Sequence, residues 1–230
     1  MTPEHSTTAE LTIVVPVYNE AAALPGFLAE LLPFAAALPA EVILVDDGSR
    51  DGSREILAGV AGDHVTVLRH KLNRGYGGAL KTGVAAARTR YTITVDADGQ
   101  HRTEDIRRLY EVICRTDADM VIGSRRGQKD ASALRAFGKA LIRILAKSLM
   151  RVPVHDLNSG MKIVDTALAQ QVLHLCPDTM AYSDTIALLF LNRRGLVLEE
   201  PIQVRERQGR ASTIGLRDAI GTVRAIINMV

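Results

Sequence analysis

The sequence has 230 residues, of which 47% are hydrophobic and 23% are charged, and its formal net charge at pH 7 is +2. These values are typical of a globular domain and exclude a disordered or fibrous chain. A net charge this close to zero gives no reason to expect nucleic-acid binding, so any basic surface has to be local.

The first ten residues form a polar tail that leads directly into a run of β-branched residues. They contain neither the basic start nor the small-residue cleavage pattern of a secretory signal, so we expect a cytoplasmic protein. No segment reaches the roughly 18 to 20 apolar residues that a membrane-spanning helix needs. If the protein meets a membrane, we expect it to lie on the membrane surface.

Strand-like and helix-like segments alternate along the first half of the chain. The predicted strands are residues 11–17, 41–46, 64–68, 91–96 and 119–123, and the predicted helices are residues 21–38, 52–60, 75–88 and 103–116. This alternation predicts an α/β fold with a mostly parallel sheet flanked by helices. Thr103 is the expected N-cap of the last of these helices. Ligands of such sheets bind at the carboxyl ends of the strands.

The second half is less regular. It is predicted to contain a turn at residues 156–160, helices at 165–175 and 183–193, a strand at 196–204 and two amphipathic helices, at 134–151 and 213–230. The helix at 134–151 has its basic residues opposite its apolar side. That basic face is either an ordinary solvated surface or a contact for anionic lipid headgroups, and the sequence leaves both open.

The strongest chemical signal is Asp96-Ala97-Asp98-Gly99-Gln100-His101, at the end of the fourth predicted strand. Residues two apart on an extended segment point the same way, so we expect Asp96 and Asp98 to converge on one hard cation, with Gln100 as a third oxygen ligand. Mg²⁺ or Mn²⁺ held in this way keeps positions open for diphosphate oxygens and stabilises a departing diphosphate.

Two further strand ends carry polar motifs. Pro16-Val17-Tyr18-Asn19-Glu20 ends the first strand, and Val45-Asp46-Asp47-Gly48-Ser49 ends the second. Paired carboxylates there are expected to accept hydrogen bonds from the base and ribose of a nucleotide, and the glycine permits close approach. Each motif alone also fits an ordinary turn before a helix.

In this order, the three motifs resemble those of family 2 glycosyltransferases, and specifically the dolichyl-phosphate mannose synthase-like branch. The resemblance covers residues 11–212 and implies a GT-A fold, with a nucleotide-binding half at residues 11–100 and an acceptor half at residues 101–212. It also implies a nucleoside site and a site for Mg²⁺ or Mn²⁺. The nucleoside site would be lined by Pro16, Tyr18, Glu20 and Asp46, and the metal would be held by Asp96, Asp98 and Gln100.

Four other segments are similar to elements of the same branch. In the glycine-rich segment (residues 73–79), Arg74 and backbone N–H groups such as that of Gly75 are expected to meet phosphate, although a flexible turn explains the glycines equally well. Arg125 is expected to reach the acceptor or the sugar phosphate. The remaining residues are Ser159, Gly160 and Lys162, in an element similar to the family's sugar pocket, and Arg207, Arg210 and Ser212, in an element similar to its late arginine motif. That last match is imperfect, because Thr213 stands where the branch has lysine.

Three observations bear on the acceptor. The chain has no tryptophan, which excludes the Gln-x-x-Arg-Trp element of processive polysaccharide synthases and leaves transfer of a single sugar. A phosphate monoester is already largely dianionic at pH 7 and needs no general base, which favours a polyprenyl phosphate acceptor. A hydroxyl of a soluble or cell-surface glycan is the alternative, and it would need a base. Asp184 is either that functional carboxylate or a helix N-cap.

Two non-catalytic interpretations of the sequence are less well supported than an enzyme. A response-regulator-like binding module also carries paired aspartates, but there the pair follows the first strand, whereas Asp46 and Asp47 follow the second predicted strand. A non-catalytic nucleotide-binding scaffold of the same fold is disfavoured because Asp96, Asp98 and Arg125 are all present.

Overall fold

The computed structural model of the chain describes residues 9–38, 40–125 and 154–205. The predicted helices at 134–151 and 213–230 lie outside these residues, as do Arg207, Arg210 and Ser212. The described chain contains strands β1 (Leu11–Val17), β2 (Ala40–Asp46), β3 (Val65–Arg69), β4 (Tyr91–Thr94), β5 (Met120–Ser124), β6 (Lys162–Asp165) and β7 (Val197–Pro201). Its helices are α1 (Leu24–Ala37), α2 (Ser53–Ala58), α3 (Tyr76–Ala86), α4 (Thr103–Thr116), α5 (Thr166–Val172) and α6 (Tyr182–Asn192), with a short 3₁₀ turn at Leu173–Leu175.

The strands form one sheet in the order β3-β2-β1-β4-β6-β5-β7. All neighbouring pairs are parallel except the two made by β6, which runs antiparallel to both β4 and β5. The prediction of a mostly parallel sheet flanked by helices is therefore confirmed.

Both faces of the sheet are buried, and alternating residues of each strand supply them, as the two-residue period of a strand requires. In β1, Ile13 and Val15 pack with α1 and α4 on one face, whereas Val14 packs with α3 on the other. A sheet covered on both faces exposes mainly its strand ends, which is where polar ligand-binding residues can lie.

Most element ends differ from the predicted ones by one to three residues, as in α1, which begins at Leu24 and not at residue 21. Three further differences concern the site. The fourth strand ends at Thr94 and not at residue 96. Thr103 is the first residue of α4, because the N-cap position is Arg102, whose side chain makes no capping hydrogen bond. Strand β6 was not predicted at all, since it is only four residues long and begins with a lysine. None of the described helices is long and apolar enough to cross a membrane.

Candidate active site

The three motifs of the first half lie at one edge of the sheet. β1 pairs with β2 so that Val17 is opposite Asp46, and it pairs with β4 so that Val14 is opposite Thr94. Because β2, β1 and β4 are adjacent and parallel, the loops after them leave the sheet on the same side. The fold therefore gathers the three motifs as the sequence predicts.

The loops after β1 and β2 are joined by hydrogen bonds. The backbone N–H of Asn19 donates to Ser49 Oγ over 3.1 Å, and Asn19 Oδ1 accepts from the N–H of Arg50 over 2.8 Å. The N–H of Glu20 donates to Ser53 Oγ over 3.0 Å. The small polar residues of both motifs thus hold each other, and Tyr18 is left at the surface with 45% of its area exposed.

The paired carboxylates after β2 are engaged within the protein. Asp46 is buried and accepts from the backbone N–H of Ser49 over 2.8 Å and from Arg54 Nε over 3.2 Å. The carboxylate of Asp47 faces the glycine-rich segment, and its contact with a nucleotide stays a prediction. Its Oδ1 lies 2.6 Å from His70 Nδ1, and its two oxygens accept from the N–H groups of residues 74 and 75 over 2.8 and 2.9 Å.

The glycine-rich segment also has a structural reason for its composition. A β-carbon on Gly75 or Gly77 would overlap carbonyl oxygens of residues 177–179, which pass directly over this segment. The N–H of Gly78 already donates to the carbonyl of Asp178 over 3.1 Å, and that of Gly75 donates to Asp47. Both N–H groups thus have partners within the protein, and contact of this segment with phosphate stays a prediction. The side chain of Arg74 is exposed.

The metal segment (residues 96–101) forms a turn and not a continuation of β4. Asp98 lies in the turn, is buried, and accepts from the N–H of Gln100 over 3.0 Å. Asp96 Oδ1 accepts from the hydroxyl of Tyr76 over 2.9 Å. The two carboxylates are therefore fixed by a turn, and not by an extended strand as predicted.

Gly160 lies against Asp96. A β-carbon at Gly160 would be 2.5 Å from Asp96 Oδ2, so only glycine fits between the backbone of this segment and the carboxylate. Thr94 Oγ1 donates to the carbonyl of Gly160 over 2.6 Å and fixes the contact from β4. The element similar to the family's sugar pocket (residues 156–162) thus borders the metal segment.

Two buried residues of opposite charge, Lys162 and Asp184, follow Gly160 in the sequence. Lys162, on β6, is 3% exposed and donates to the carbonyl of Ser159. Burial lowers the pKa of the Lys162 ammonium to about 8, against the opposing charges of Asp184 and Asp156. Burial raises the pKa of Asp184, and the charge of Lys162 and a 3.3 Å hydrogen bond from Asn158 oppose that rise.

Asp184 is not a helix N-cap. That position of α6 belongs to Ala181, and Asp184 lies in the first turn with 5% of its area exposed. A carboxylate in the first turn is favoured by the helix dipole. The structure therefore excludes the N-cap alternative, and a functional role of Asp184 stays a prediction.

Arg125 is held by Asp156. Its Nε and Nη2 donate to the two oxygens of Asp156 over 2.7 and 2.8 Å, and its backbone N–H donates to the same carboxylate over 3.0 Å. Burial raises the pKa of Asp156, but the hydrogen bonds and charge of Arg125 outweigh it and lower the pKa overall. Glu199 also fixes Asp156, because its carboxylate accepts a hydrogen bond from the backbone N–H of Asp156 over 2.6 Å.

Three residues at this site were missed from the sequence. Tyr76 contacts Asp96, Asn158 contacts Asp184, and Asp156 pairs with Arg125. Tyr76 and Asn158 stand inside motifs that were recognised for other residues, and Asp156 is 31 positions from its partner. No spacing rule identifies such contacts, because they depend on how the elements pack.

The donor set of the metal segment fits Mg²⁺ or Mn²⁺. Within residues 9–38, 40–125 and 154–205, no three histidine, cysteine, aspartate or glutamate side chains form a metal-binding group. Two carboxylates and an amide oxygen are nevertheless sufficient for a cation that keeps several positions for water and substrate phosphate. Asp96, Asp98 and Gln100 supply this set.

The sequence is similar to those of two named sugar transferases. An undecaprenyl-phosphate 4-deoxy-4-formamido-L-arabinose transferase of Pseudomonas aeruginosa is 35% identical over 170 residues, which is 71% of this chain and 49% of that protein. A dolichyl-phosphate beta-glucosyltransferase of Dictyostelium discoideum is 29% identical over 182 residues, 70% of this chain and 56% of that protein. The chain thus spans about half the length of these relatives.

A solved structure shares the fold. Glucosyl-3-phosphoglycerate synthase from Mycobacterium tuberculosis, in complex with Mn²⁺, UDP-glucose and phosphoglyceric acid, superposes with a TM-score of 0.74 and 17% identity, covering 96% of this chain and 79% of that one. This likeness confirms the predicted GT-A fold. The model of the family described as "Glycosyl transferase family 2" matches residues 12–187. The chain therefore belongs to glycosyl transferase family 2.

Proposed function

We propose that this chain is the catalytic domain of an inverting glycosyltransferase that moves one sugar from a nucleoside-diphosphate sugar to a polyprenyl phosphate. The observation that supports the proposal is the contact between Gly160 and Asp96, which brings the metal segment next to the segment that carries the buried Lys162. A leaving diphosphate and the sugar attached to it need this adjacency. The names of the two relatives support the polyprenyl phosphate acceptor.

The nucleoside is proposed to lie over the loops after β1 and β2. Tyr18 offers an exposed ring there, and Pro16 and Glu20 border the same loop. Asp46 keeps acceptor capacity in addition to its two protein partners, because each carboxylate oxygen has two lone pairs. Arg74 is the exposed cation proposed to meet the diphosphate.

The sugar is proposed to lie between Gly160 and the buried charge pair. Lys162 is a donor and Asp184 is an acceptor, and together they suit the hydroxyl groups of a hexose. Ser159 and Asn158 fix the positions of these two groups through the hydrogen bonds described above. Arg125, held by Asp156, forms the next edge of the site.

A divalent cation is proposed to complete the site. Asp96, Asp98 and Gln100 would hold Mg²⁺ or Mn²⁺, which supplies positive charge to the diphosphate as it leaves. The hydroxyl of Tyr76 fixes Asp96, and the turn around Asp98 fixes the second carboxylate. The Mn²⁺ in the similar structure supports this assignment.

The late arginine motif is proposed to bind the acceptor. Arg207, Arg210 and Ser212 are proposed to face its phosphate, which is already an oxygen nucleophile and needs alignment more than deprotonation. The basic helix predicted at 134–151 is proposed to contact the cytoplasmic face of a membrane, where a polyprenyl phosphate would be embedded.

The test compares two matched acceptors in assays of the purified chain. Mn²⁺ and each of UDP-glucose, GDP-mannose and UDP-GlcNAc are incubated with a short polyprenyl phosphate or with the corresponding polyprenol, and products are identified by mass spectrometry. We expect a sugar-lipid from the phosphate only, and none from the Asp98→Ala variant, whose fold is checked by circular dichroism. The Asp63→Ala variant, which changes an exposed loop aspartate, is the control with unchanged activity.

Two results contradict the proposal. Transfer only to a soluble hydroxyl acceptor would assign the chain to the alternative class of family 2 enzymes. Full activity in Asp98→Ala, or in excess chelator, would exclude the proposed cation.

A further inference from the structure

The segment that follows β7 lies directly on the metal segment. The N–H of Arg205 donates to the carbonyl of Gln100 over 2.9 Å, and the side-chain Nε2 of Gln100 donates to the carbonyl of Arg205 over 3.3 Å. Oε1 belongs to the same planar amide and is the atom proposed to face the cation. The carbonyl of Arg205 therefore helps to set the direction of that ligand.

Three side chains hold residues 203–205 in this place. Asp105, buried in α4, accepts from the N–H of Gln203 over 3.1 Å, and Arg102 Nη1 donates to Gln203 Oε1 over 2.6 Å. Arg205 donates through both terminal nitrogens to the carboxylate of Glu30, over 2.7 and 3.0 Å. The hydrogen bond from Arg205 lowers the pKa of Glu30 despite the opposing effect of burial, so the two are an ion pair at neutral pH.

A cavity of about 110 Å³ lies behind the metal segment. Its walls include Phe27, Ile106 and His101, and also the ion-paired side chains of Glu30 and Arg205. A space of this size accommodates water and is not filled by packed side chains. The metal segment borders this cavity at Gly99 and His101, and the hydrogen bonds from residues 203–205 contribute to its position.

We propose that Glu30 and Arg205 are positioning residues for the cation: their ion pair fixes the carbonyl of Arg205, and that carbonyl orients the amide of Gln100. This inference rests on the proposed function, because it takes Gln100 as a ligand. Removal of a group that hydrogen-bonds to a metal ligand and orients it typically lowers metal affinity by about 10- to 100-fold.

The opposite charges of Glu30 and Arg205 allow a positioning role to be distinguished from a purely electrostatic one. If Arg205 acted only through its positive charge, its removal would strengthen binding of a cation nearby. If it acts by positioning, its removal weakens binding. Arg205→Gln therefore separates the two effects by the sign of the change, whereas Glu30→Gln weakens binding in either case.

Mn²⁺ binding is measured by electron paramagnetic resonance, without activity as a readout. We expect Arg205→Gln and Glu30→Gln each to weaken binding by about tenfold, with no further loss in the double variant, because one ion pair is lost only once. Arg205→Lys keeps the charge but not the two-pronged contact, so it should also weaken binding. Asp117→Asn is the control, since it breaks the exposed ion pair with Arg90 at a left-handed residue, where asparagine is well tolerated.

The outcomes distinguish this inference from the proposed function. Unchanged or tighter Mn²⁺ binding by Arg205→Gln, or losses that add in the double variant, overturns the positioning role and leaves the function standing. A wild-type protein that takes up no Mn²⁺, whether alone or with UDP or GDP, contradicts the metal-dependent function itself. Arg205 and Glu30 are 39% and 40% exposed, so the variants are expected to fold, and thermal unfolding verifies this.

Discussion

The hydroxyl of Tyr76 donates a hydrogen bond to Oδ1 of Asp96 over 2.9 Å. Tyr76 is the first residue of α3, whereas Asp96 follows β4, so the contact joins the glycine-rich segment to the metal segment. Burial raises the pKa of Tyr76 well above its ordinary value, and the charge of Asp96 raises it further. The phenol therefore remains a donor over the whole working pH range.

Tyr76→Phe removes this donor and leaves the ring in place. Hydrogen bonds to charged groups contribute about 1.5 to 3 kcal/mol, so we expect the Mn²⁺ concentration for half-maximal transfer to rise by about tenfold. A titration of activity with Mn²⁺ measures the change. The matched control is Tyr110→Phe, which removes a phenol contact to the exposed carboxylate of Glu10 and should leave the titration unchanged. Identical titrations for Tyr76→Phe and the wild type would exclude the role of Tyr76.

Gly160→Ala tests the contact between the sugar pocket and the metal segment. The new methyl group would lie 2.5 Å from Asp96 Oδ2, so the carboxylate or the backbone has to move. We expect a loss of at least about tenfold in kcat and about 1 to 3 kcal/mol in the free energy of unfolding. Activity assays and urea denaturation measure the two quantities.

Gly26→Ala is the matched control for that substitution. A β-carbon at Gly26 meets nothing within 4 Å, and the residue lies in α1, where alanine is more favourable than glycine by about 1 kcal/mol. The control should keep full activity and gain stability. Equal behaviour of the two variants would show that Gly160 does not need its small size.

The sheet and its flanking helices could be predicted from sequence because each element carries its own pattern of apolar residues. β1 and α4 have the predicted bounds in full. β6 could not be predicted, because its four residues form a strand only through pairing with β4 and β5, which are distant in sequence. Such pairing is a property of the assembled sheet.

The location of the site was predictable, but the contacts of its side chains were not. Motifs at the ends of β1, β2 and β4 meet because parallel neighbours end at the same edge. Asp47 is an example of contacts that the sequence does not predict. Its motif suggests a ligand contact, yet its oxygens contact residues 74 and 75 and His70. The sequence shows a carboxylate but not which donors packing will bring to it.

The burial of Lys162 predicts a pH dependence of stability. Its pKa is lowered from 10.5 to about 8 in the folded protein. Between pH 8 and about 9 the unfolded chain binds a proton at Lys162 that the folded chain does not, so this residue makes the free energy of unfolding rise with pH in that window. Above pH 9.0 the raised thiol pKa of Cys176 has the opposite effect. Urea denaturation at several pH values measures the slope.

Lys162→Met removes the titrating group and should flatten that slope. Lys71→Met is the control for the loss of one positive charge, because Lys71 is exposed, and it should keep the wild-type profile. A Lys162→Met protein with an unchanged slope would show that another group causes the pH dependence.

Asp184→Asn distinguishes the two acceptor classes. A hydroxyl acceptor requires a general base, which contributes about 10²- to 10⁴-fold to the rate, whereas a phosphate dianion requires none. Asp184 is the buried carboxylate of the proposed sugar site, and asparagine keeps its shape and its contact with Asn158 while removing its charge. With a polyprenyl phosphate acceptor we therefore expect kcat to fall by less than about tenfold, mainly through the lost charge opposite Lys162.

Single-turnover assays over a range of pH measure this fall in kcat, with Asp63→Asn as the exposed control. A fall of about 10³-fold together with loss of the acidic limb of the pH profile would identify Asp184 as a base and contradict transfer to a phosphate that needs none.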